Sequence, residues 1–364
     1  MDLTKGSIKL HLRNIAIPAS VGFFFNTMFN VVDTFFSGRI STDALAALSI
    51  SFPIFFIIIA ADAGIAVGSS ALISNALGAK KADEVHLYKA QTLSFGVIVG
   101  LLITWIGYMV SPPLFELLGA SGVYLDLALT YIDVIFFGAI FFVLSASGNG
   151  ILLAHGNSKT MRNGLILGFI FNCILDPWFL YGGLGLPPMG LRGIAFATVV
   201  TMFFTDIYVL GKVIRDGYLK GVKLWDFVPN LKAFSAIIRQ SLPASMNMMS
   251  IALGIFFITY YVKTFGTSAV AAFGIGMRIQ QIFFLPTVGI NIATLSIIGQ
   301  NNGARFFDRI TETVKESLKF GIKIMSVGAV IMLFFPAQMM RIFSNNADVV
   351  AIGENFLRFA AGSS

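Results

Sequence analysis

The tetrapeptide Ile17-Pro18-Ala19-Ser20 returns as Leu242-Pro243-Ala244-Ser245, 225 positions further along the chain. The same offset relates further pairs, namely Gly64-Ile65 to Gly289-Ile290 and Gly78-Ala79-Lys80 to Gly303-Ala304-Arg305. A constant offset without gaps is the mark of an internal repeat. Because proline and the Gly-Ala-basic punctuation also stay in register, coincidence between two apolar helix pairs is the weaker explanation. The sequence therefore predicts two copies of one structural unit.

The repeated unit consists of apolar segments that are long enough to cross a membrane. Of the 364 residues, 56% are hydrophobic and 12% are charged, and the mean hydropathy is +0.83, whereas soluble proteins carry about 25% charged residues. Segments of about 20 apolar residues span a bilayer as helices. They recur near 14–36, 44–77, 91–113, 123–147, 163–182, 189–214, 236–262, 268–299 and 317–340, and a tenth begins near 347. This pattern excludes a soluble enzyme, a coiled coil, a disordered regulator and a membrane β-barrel, whose strands alternate.

Basic residues are concentrated in alternate loops. Eighteen Lys and Arg precede the first span or lie in the loops after every second span, whereas the opposite loops hold four. The positive-inside rule then predicts a cytoplasmic N-terminus in the inner (plasma) membrane of the cell. The net charge of +7 is thus explained by topology, and no nucleic-acid partner is expected. The single cysteine, Cys173, excludes a disulfide within the chain.

An even number of spans separates the two copies, so both copies begin on the same side of the membrane. Such parallel repeats, related by an axis along the membrane normal, are one repeat plan of secondary transporters. We predict an all-α, polytopic membrane protein with two helical lobes, in which residues 1–220 hold spans 1–6 and residues 221–364 hold spans 7–9 and part of span 10. A complete second copy would run to about residue 450. The chain is therefore expected to be truncated, with about four of six spans in its second lobe.

Five acids fall within the predicted spans: Asp33, Asp62, Asp133, Asp176 and Asp206. An ionisable side chain in a membrane helix costs about 2.5–3.5 kcal/mol on insertion scales, so each acid requires an explanation. Asp206 lies nearer the cytoplasmic end of its span, where water can solvate it, and is the weakest functional candidate. Asp33 and Asp176 are the strongest because of the residues around them.

Asp33 shares a helix face with Asn26, seven residues earlier, and follows Pro18 in the same span. Proline removes a backbone hydrogen bond and favours a kink. A carboxylate in a helix that can bend is a plausible switch. The alternative is that Asp33 lies at the outer membrane interface, solvated and close to Arg39.

Asp176 lies four residues after Asn172, so that an amide oxygen and a carboxylate share one helix face. These are hard oxygen ligands for a small cation, and Thr198 or Thr201 on the next span can add a hydroxyl. Because both helices run outward, Asp33 and Asp176 are predicted at a similar depth, where two carboxylates can share one H⁺ or Na⁺. A purely structural Asp176, bonded to a backbone group, is the alternative.

Other chemistry is sparse in this sequence. The three histidines, His11, His86 and His155, are isolated, and there is no P-loop, so neither a metal-dependent enzyme nor an ATPase is indicated. Met246 and Met249 begin the seventh span, and adaptable thioethers suit a cavity for varied apolar ligands. With Arg278 they are predicted to line a substrate cavity, although packing against lipid also explains them.

The sequence resembles the MATE (multidrug and toxic compound extrusion) family of secondary transporters. The similar motifs are Val32-Asp33-Thr34-Phe35-Phe36-Ser37-Gly38-Arg39, Asn172-Cys173-Ile174-Leu175-Asp176-Pro177, Gly190-Leu191-Arg192-Gly193-Ile194-Ala195-Phe196-Ala197-Thr198 and Ile298-Gly299-Gln300-Asn301-Asn302-Gly303-Ala304. The resemblance implies two six-helix lobes and export of cationic or amphipathic compounds in exchange for H⁺ or Na⁺, with no other cofactor. The seventh span contains no acid, which favours the DinF-type branch, with coupling in the first lobe.

The resemblance also assigns roles to individual residues. Asp33 takes the place of the coupling carboxylate in the first span, Pro18 that of its bending proline, and Asn26 that of a polar partner. Asn172 and Asp176 take the place of the cation pair in the fifth span, and Thr198 that of a hydroxyl in the sixth. Asp33, Asn172 and Asp176 are the implied metal ligands if the coupling ion is Na⁺.

The leading hypothesis is a monomeric antiporter that moves organic cations or amphipathic drugs across the bilayer by rocker-switch alternating access. A lipid or lipid-linked oligosaccharide flippase of the same superfamily is the alternative. Such a flippase is expected to line its cavity with several basic residues, and Arg278 is the most evident cation within the spans. A membrane scaffold or receptor that transports nothing represents a different class, but it leaves the acids within the spans without a purpose.

Overall fold

The protein is an assembly of helices in a computed structural model that describes residues 1–183, 185–344 and 346–363. Within these residues twelve α-helices follow one another: α1 (Ile8–Ile40), α2 (Thr42–Gly78), α3 (Ala82–Leu117), α4 (Gly122–Phe137), α5 (Ala139–Ala154), α6 (Ser158–Tyr181), α7 (Gly190–Arg215), α8 (Leu231–Val262), α9 (Thr267–Gly303), α10 (Phe307–Phe334), α11 (Pro336–Arg341) and α12 (Ala347–Ser363). Two short 3₁₀ helices, Leu224–Phe227 and Lys263–Phe265, lie before and after α8. The described residues form no β-sheet, which confirms the all-α class.

Eight of these helices are long and apolar enough to cross a membrane, and α4 with α5 makes a ninth span. This ninth span corresponds to the one predicted near 123–147, but it extends to Ala154, and its two helices meet at a bend of 44°. The break lies at Gly138, where a Cβ atom would overlap the side chain of Val199 on α7. The bend therefore accompanies a close approach between the backbone of this span and α7.

The predicted ninth span, 317–340, also differs from the structure. Helix α10 begins earlier, at Phe307, and ends at Phe334, and the short α11 begins at Pro336. Proline has no N–H to donate and disfavours a helical conformation in the residue before it, so one helix ends and another begins there. Helix α12 provides the predicted start of the tenth span, whose last residue, 364, lies outside the described residues.

The repeat appears in the helix boundaries themselves. Helices α9, α10 and α12 begin 225 residues after α2, α3 and α4, and α9 also ends 225 residues after α2. Lys80 and Arg305, which are related by the same offset, are the non-glycine residues with positive φ in the described part of the chain (56° and 60°). The copies thus share helix lengths and even a turn conformation, which confirms the predicted parallel-repeat architecture.

The two repeats meet through closely packed pairs of glycine and serine. A Cβ atom on Gly64 of α2 would overlap the Ser245 hydroxyl of α8, and one on Gly289 of α9 would overlap the Ser20 hydroxyl of α1. Since Gly289 and Ser245 are the 225-residue counterparts of Gly64 and Ser20, one contact is the symmetry mate of the other. Gly78 against Gln300 and Gly303 against Asn75 form a second such pair.

These contacts lie in the halves of α1, α2, α8 and α9 that adjoin the N-terminus of the chain. The N-terminal segment itself closes this end, because Leu3 is fully buried and its N–H donates to Gln300 Oε1 at 2.8 Å. Gln300 Nε2 in turn donates to the Ala154 carbonyl at 2.8 Å. At the opposite end the described side chains of α8 from Ile251 onward are exposed or half-buried. The lobes are therefore closed at the end that contains the N-terminus, which we call the closed end.

The connection between the repeats is held against the first lobe. Gln91 of α3 donates from Nε2 to the carbonyls of Asp226 and Val228 at 2.5 and 2.7 Å, and its Oε1 accepts from the Asn230 N–H at 2.9 Å. Ser94 Oγ donates to the Phe227 carbonyl at 2.7 Å. The predicted boundary at residue 220 falls within this connection, although residues 226–230 contact α3.

Candidate cation-binding site

Helix α1 brings Asp33 into the interior of the first lobe. Asp33 is 7% exposed and shares a buried face of α1 with Phe29 and Ser37, one turn on either side. The helix continues without interruption from Ile8 to Ile40 through Pro18. The alternative of a solvated Asp33 at the membrane interface is therefore wrong, since the surrounding helices enclose its carboxylate.

Helix α6 supplies the partners of Asp33. Asn172 and Asp176 are both fully buried, and α6 packs along α1. Asn172 Nδ2 donates to Asp33 Oδ1 at 2.7 Å and to Asp176 Oδ1 at 3.0 Å. One amide group thus bridges two carboxyl groups, and these carboxyl groups also lie within hydrogen-bonding reach of each other. Among the described residues, the partners of Asp176 are these two side chains. The alternative that Asp176 is bonded to a backbone group is therefore not supported.

Helix α7 closes the third side with Thr198. This residue is 2% exposed and lies against Asp33. Its hydroxyl donates to the Ile194 carbonyl at 3.1 Å, as is common for Ser and Thr in membrane helices. The donated proton leaves the lone pairs of the hydroxyl oxygen available to a ligand.

The site contains acceptor oxygens that have no donor. Asp176 Oδ2 and Asn172 Oδ1 are both buried, and neither has a hydrogen-bond partner among the described residues. Carboxylate, amide and hydroxyl oxygens are the ligands that hard cations prefer. The donor set of Asp33, Asn172 and Asp176 thus fits either a proton shared between the acids or a small metal cation such as Na⁺.

Tyr131 of α4 belongs to this environment, and the sequence analysis missed it. Its side chain is 4% exposed and lies within electrostatic range of both Asp33 and Asp176. The signal in the sequence was weak: a tyrosine within an apolar span, two residues before Asp133. Asp133 itself is half-buried and lines a separate cavity of about 430 Å³ together with Tyr108 and Arg192.

The other predicted site residues lie apart from this cluster. Asn26 is seven residues from Asp33, about 10 Å along the helix axis, and the groups that contact the Asp33 carboxyl come from α6 and α7. Met246 and Met249 are 58% and 42% exposed on α8, and Arg278 is exposed on α9. Within the described residues, no hydrogen bond or ion pair links these three to the cluster.

Asp206 does not take the solvated position that its place near the end of a span allowed. It is 4% exposed, and it faces Ser145 and Asp62 inside the first lobe instead of water. The position of Asp206 along α7 suggested solvation, but the helices packed on α7 decide its burial.

Comparison with known proteins places this arrangement in a family. Residues 18–178 and 243–364 match the family model MatE. The chain belongs to the MATE family. The two matched ranges begin 225 residues apart, which is the offset of the repeat. MATE proteins are transporters, so this chain is a multi-pass membrane transport protein and not an enzyme.

Three curated relatives cover most of the chain. "Probable multidrug resistance protein YoeA" of Bacillus subtilis is 27% identical over 330 residues, which is 87% of this chain and 69% of that protein. "FAD transporter" of Shewanella oneidensis is 28% identical and covers 93% of this chain and 75% of its own length. "Probable multidrug resistance protein NorM" of Thermotoga maritima is 23% identical, and the match covers 95% of this chain and 75% of that protein.

Solved structures of MATE transporters share the fold. A multidrug resistance MATE transporter in an outward-facing conformation superposes with a TM-score of 0.90 at 28% identity, covering 99% of this chain and 80% of that one. MATE crystal structures described as straight and as bent give TM-scores of 0.90 and 0.89, at 28% and 29% identity, with 99% of this chain and 81% of each covered. The flippase alternative gains no support from these comparisons.

Proposed function

We propose that this protein is a secondary active antiporter that exports organic cations or amphipathic drugs in exchange for H⁺ or Na⁺. The observation that carries the proposal is the Asn172 amide that holds Asp33 and Asp176 together in the interior of one lobe. The names of the MATE relatives, two of which are described as multidrug resistance proteins, support the substrate class.

The coupling follows from the charge of the site. Within the described residues, no Lys, Arg or His side chain accompanies the two acids. Two buried carboxylates cannot both remain ionised at this separation without a compensating positive charge. A proton or Na⁺ bound there supplies this charge, and its departure leaves a negative site. Loading and emptying of the site therefore change the charge of the cavity wall by one unit, and the more negative wall of the empty site attracts an organic cation.

The two-fold repeat supports rocker-switch alternating access. Two lobes that pack through symmetric Gly–Ser pairs at one end can tilt about the middle of the membrane and expose the site to either side in turn. We propose lobes of residues 1–220 and 221–364, with Pro18 as the point at which α1 bends. In this mechanism Thr198 orients the Asp33 carboxyl, and Met246, Met249 and Arg278 line the substrate path on the second lobe.

Finer assignments belong to the same proposal. Helix α8 has no acidic residue in its sequence, which supports coupling in the first lobe and hence the DinF-type branch. The distribution of basic loops supports a cytoplasmic N-terminus in the inner membrane. With this orientation the closed end is cytoplasmic, and the structure corresponds to an outward-facing state. We propose that the transporter functions as a monomer in the bilayer.

Transport into proteoliposomes tests the proposal. The purified chain would be reconstituted, and uptake of ethidium, an organic cation, measured under a ΔpH or a Na⁺ gradient imposed separately. One gradient is expected to drive uptake, and Asp33→Asn or Asp176→Asn to abolish the driven component. The matched control is Asp126→Asn, which neutralises an exposed acid on α4. Full gradient-driven uptake by both site variants would refute the coupling role of the site.

A further inference from the structure

A second group of buried oxygen atoms lies inside the first lobe, away from the Asp33 site. Asp206 of α7 is 4% exposed, and it faces Ser145 of α5 and Asp62 of α2. Neither carboxylate oxygen of Asp206 has a hydrogen-bond donor in bonding geometry among the described residues, and the same holds for the enclosed Oδ1 of Asp62. A single nearby hydroxyl, that of Ser145, does not offset the charge of a carboxylate buried in a helical bundle, so this acid needs a partner that supplies positive charge.

The packing of α5 adds an amide oxygen to this group. A Cβ atom on Gly148 would lie 2.7 Å from Val209 of α7, and one on Gly150 would lie 3.1 Å from the Ala66 carbonyl of α2. The face of α5 between these two contacts carries Ser145 and, one turn further on, Asn149. Asn149 Oδ1 is also buried and has no described donor. The group therefore combines two carboxylates, one hydroxyl and one amide, all of them hard oxygen ligands.

The electrostatic surroundings leave these acids uncompensated. Asp62 is the charged neighbour that acts on Asp206, and within the described part of α2, α5, α7 and the helices packed on them, no Lys, Arg or His acts on either carboxyl. Water molecules could donate hydrogen bonds to these oxygens but would not neutralise two like charges in an apolar interior. A bound proton or small cation would offset one of these charges and relieve the repulsion between the two carboxylates.

This second group lies nearer the closed end than the Asp33 site. Asp206 follows Thr198 by eight residues on α7, a rise of about 12 Å. Thr201 and Thr205 lie between them and share a face with Thr198, and the hydroxyls of both are buried without a described partner. A row of hydroxyl groups thus connects the level of the first group with that of the second.

We propose that Asp62, Ser145, Asn149 and Asp206 form a second site for a small cation, H⁺ or Na⁺, in the first lobe. The site holds a cation at the level where the lobes are closed, and the threonines of α7 line the path between it and the Asp33 site. This inference goes beyond the proposed antiport, because the second site holds a cation whether or not Asp33 and Asp176 drive transport.

Infrared difference spectroscopy of the full chain in lipid nanodiscs tests this proposal, because the carbonyl stretch of a protonated buried carboxyl group is resolved from that of a carboxylate. In Na⁺-free buffer the second site is expected to contribute a protonated-carboxyl band that is lost in both Asp206→Asn and Asp62→Asn. The band persists in the Asp33→Asn/Asp176→Asn double variant and in the exposed control Asp126→Asn. Asn149→Ala is expected to shift the frequency of the band, since it removes a neighbouring amide dipole.

Titration with Na⁺ alone then identifies the ion. Conversion of this band to a carboxylate signal by Na⁺ shows a Na⁺ site, whereas a band that resists Na⁺ and disappears at alkaline pH shows a proton site. If one of the variants Asp206→Asn and Asp62→Asn does not fold, the other alone is sufficient for the test. An unchanged carboxyl spectrum in Asp206→Asn or Asp62→Asn, before and after Na⁺ addition, overturns the proposal. This result is distinct from failure of the antiport proposal, which depends on transport by the Asp33 and Asp176 variants.

Discussion

Adding a methyl group to the interface between the lobes should shift the protein away from the state described above. In the Gly64→Ala variant, the new Cβ would overlap the Ser245 hydroxyl and would lie 2.7 Å from the carbonyl oxygen of Ser241. The hydroxyl can rotate away, but the backbone carbonyl cannot move without moving α8. The lobes must therefore separate at this point, and the closed end is destabilised relative to states in which it is open.

The magnitude follows from the cost of overpacking, which is about 1–3 kcal/mol for an added methylene in a well-packed interface. Since 1.4 kcal/mol corresponds to about a tenfold change in an equilibrium, the ratio of closed to open molecules should fall by about 5- to 150-fold. Gly289→Ala, at the symmetric position, should act in the same direction because its Cβ would overlap the Ala16 carbonyl and the Ser20 hydroxyl. The effects of the two substitutions should add approximately.

Spin labels on Asp83→Cys and Asp308→Cys, in a background that lacks Cys173, report this change. The two positions are exposed near the closed end, on opposite lobes, and are related by the 225-residue offset. Double electron–electron resonance should show a dominant short distance in the parent and a longer distance in Gly64→Ala. The control is Gly254→Ala, where the new Cβ would meet no atom within 4 Å. An unchanged distance distribution in both interface variants would refute the packing argument.

Three further predictions concern other parts of the molecule. Asn172→Leu should lower the thermal unfolding midpoint, because it removes two hydrogen bonds to carboxyl groups, each worth about 1.5–3 kcal/mol, whereas Asn163→Leu on the same helix should have a smaller effect. Burial, with smaller contributions from Lys89 and the N-terminal amine, lowers the pKa of His155 to about 4. The native state therefore binds fewer protons than the unfolded state, and stability present above pH 6.5 should be lost as the pH falls towards 4. This pH dependence should be reduced in His155→Gln but not in His86→Gln. Gln300→Ala should loosen the N-terminal segment, because it removes the acceptor of the Leu3 N–H and the donor to the Ala154 carbonyl. Trypsin should then cleave after Lys5 faster than in Asn302→Ala, a result that limited proteolysis with mass spectrometry would check.

The repeat was the most informative feature of the sequence. A tetrapeptide and two glycine motifs at one offset predicted the paired helices, and the boundaries of α2 and α9 agree with that offset at both ends. The pattern of side chains within one copy of the repeat was less informative about the geometry of its helices. The bend at Gly138 accompanies a close approach to Val199, a residue distant in sequence, and the local sequence did not predict it.

The candidate site was partly accessible from the sequence. The spacing of Asn172 and Asp176 placed two oxygen ligands on one helix face, and the direction of the spans placed Asp33 at a similar depth. The rotation of each helix about its axis decides whether these groups meet, and that rotation depends on packing between α1, α6 and α7. The same dependence explains why Tyr131 was missed and why Asp206 was expected to be solvated.

The proposed antiport requires Asp33 and Asp176 to exchange a positive ion for an organic cation. The most direct measurement is the ion released when ethidium is added to the purified protein, followed with a pH indicator in weakly buffered solution and with radioactive Na⁺ preloaded on the protein. We expect the parent protein to release one of these ions and the Asp33→Asn/Asp176→Asn double variant to release neither. Equal release by the parent and the double variant would contradict it.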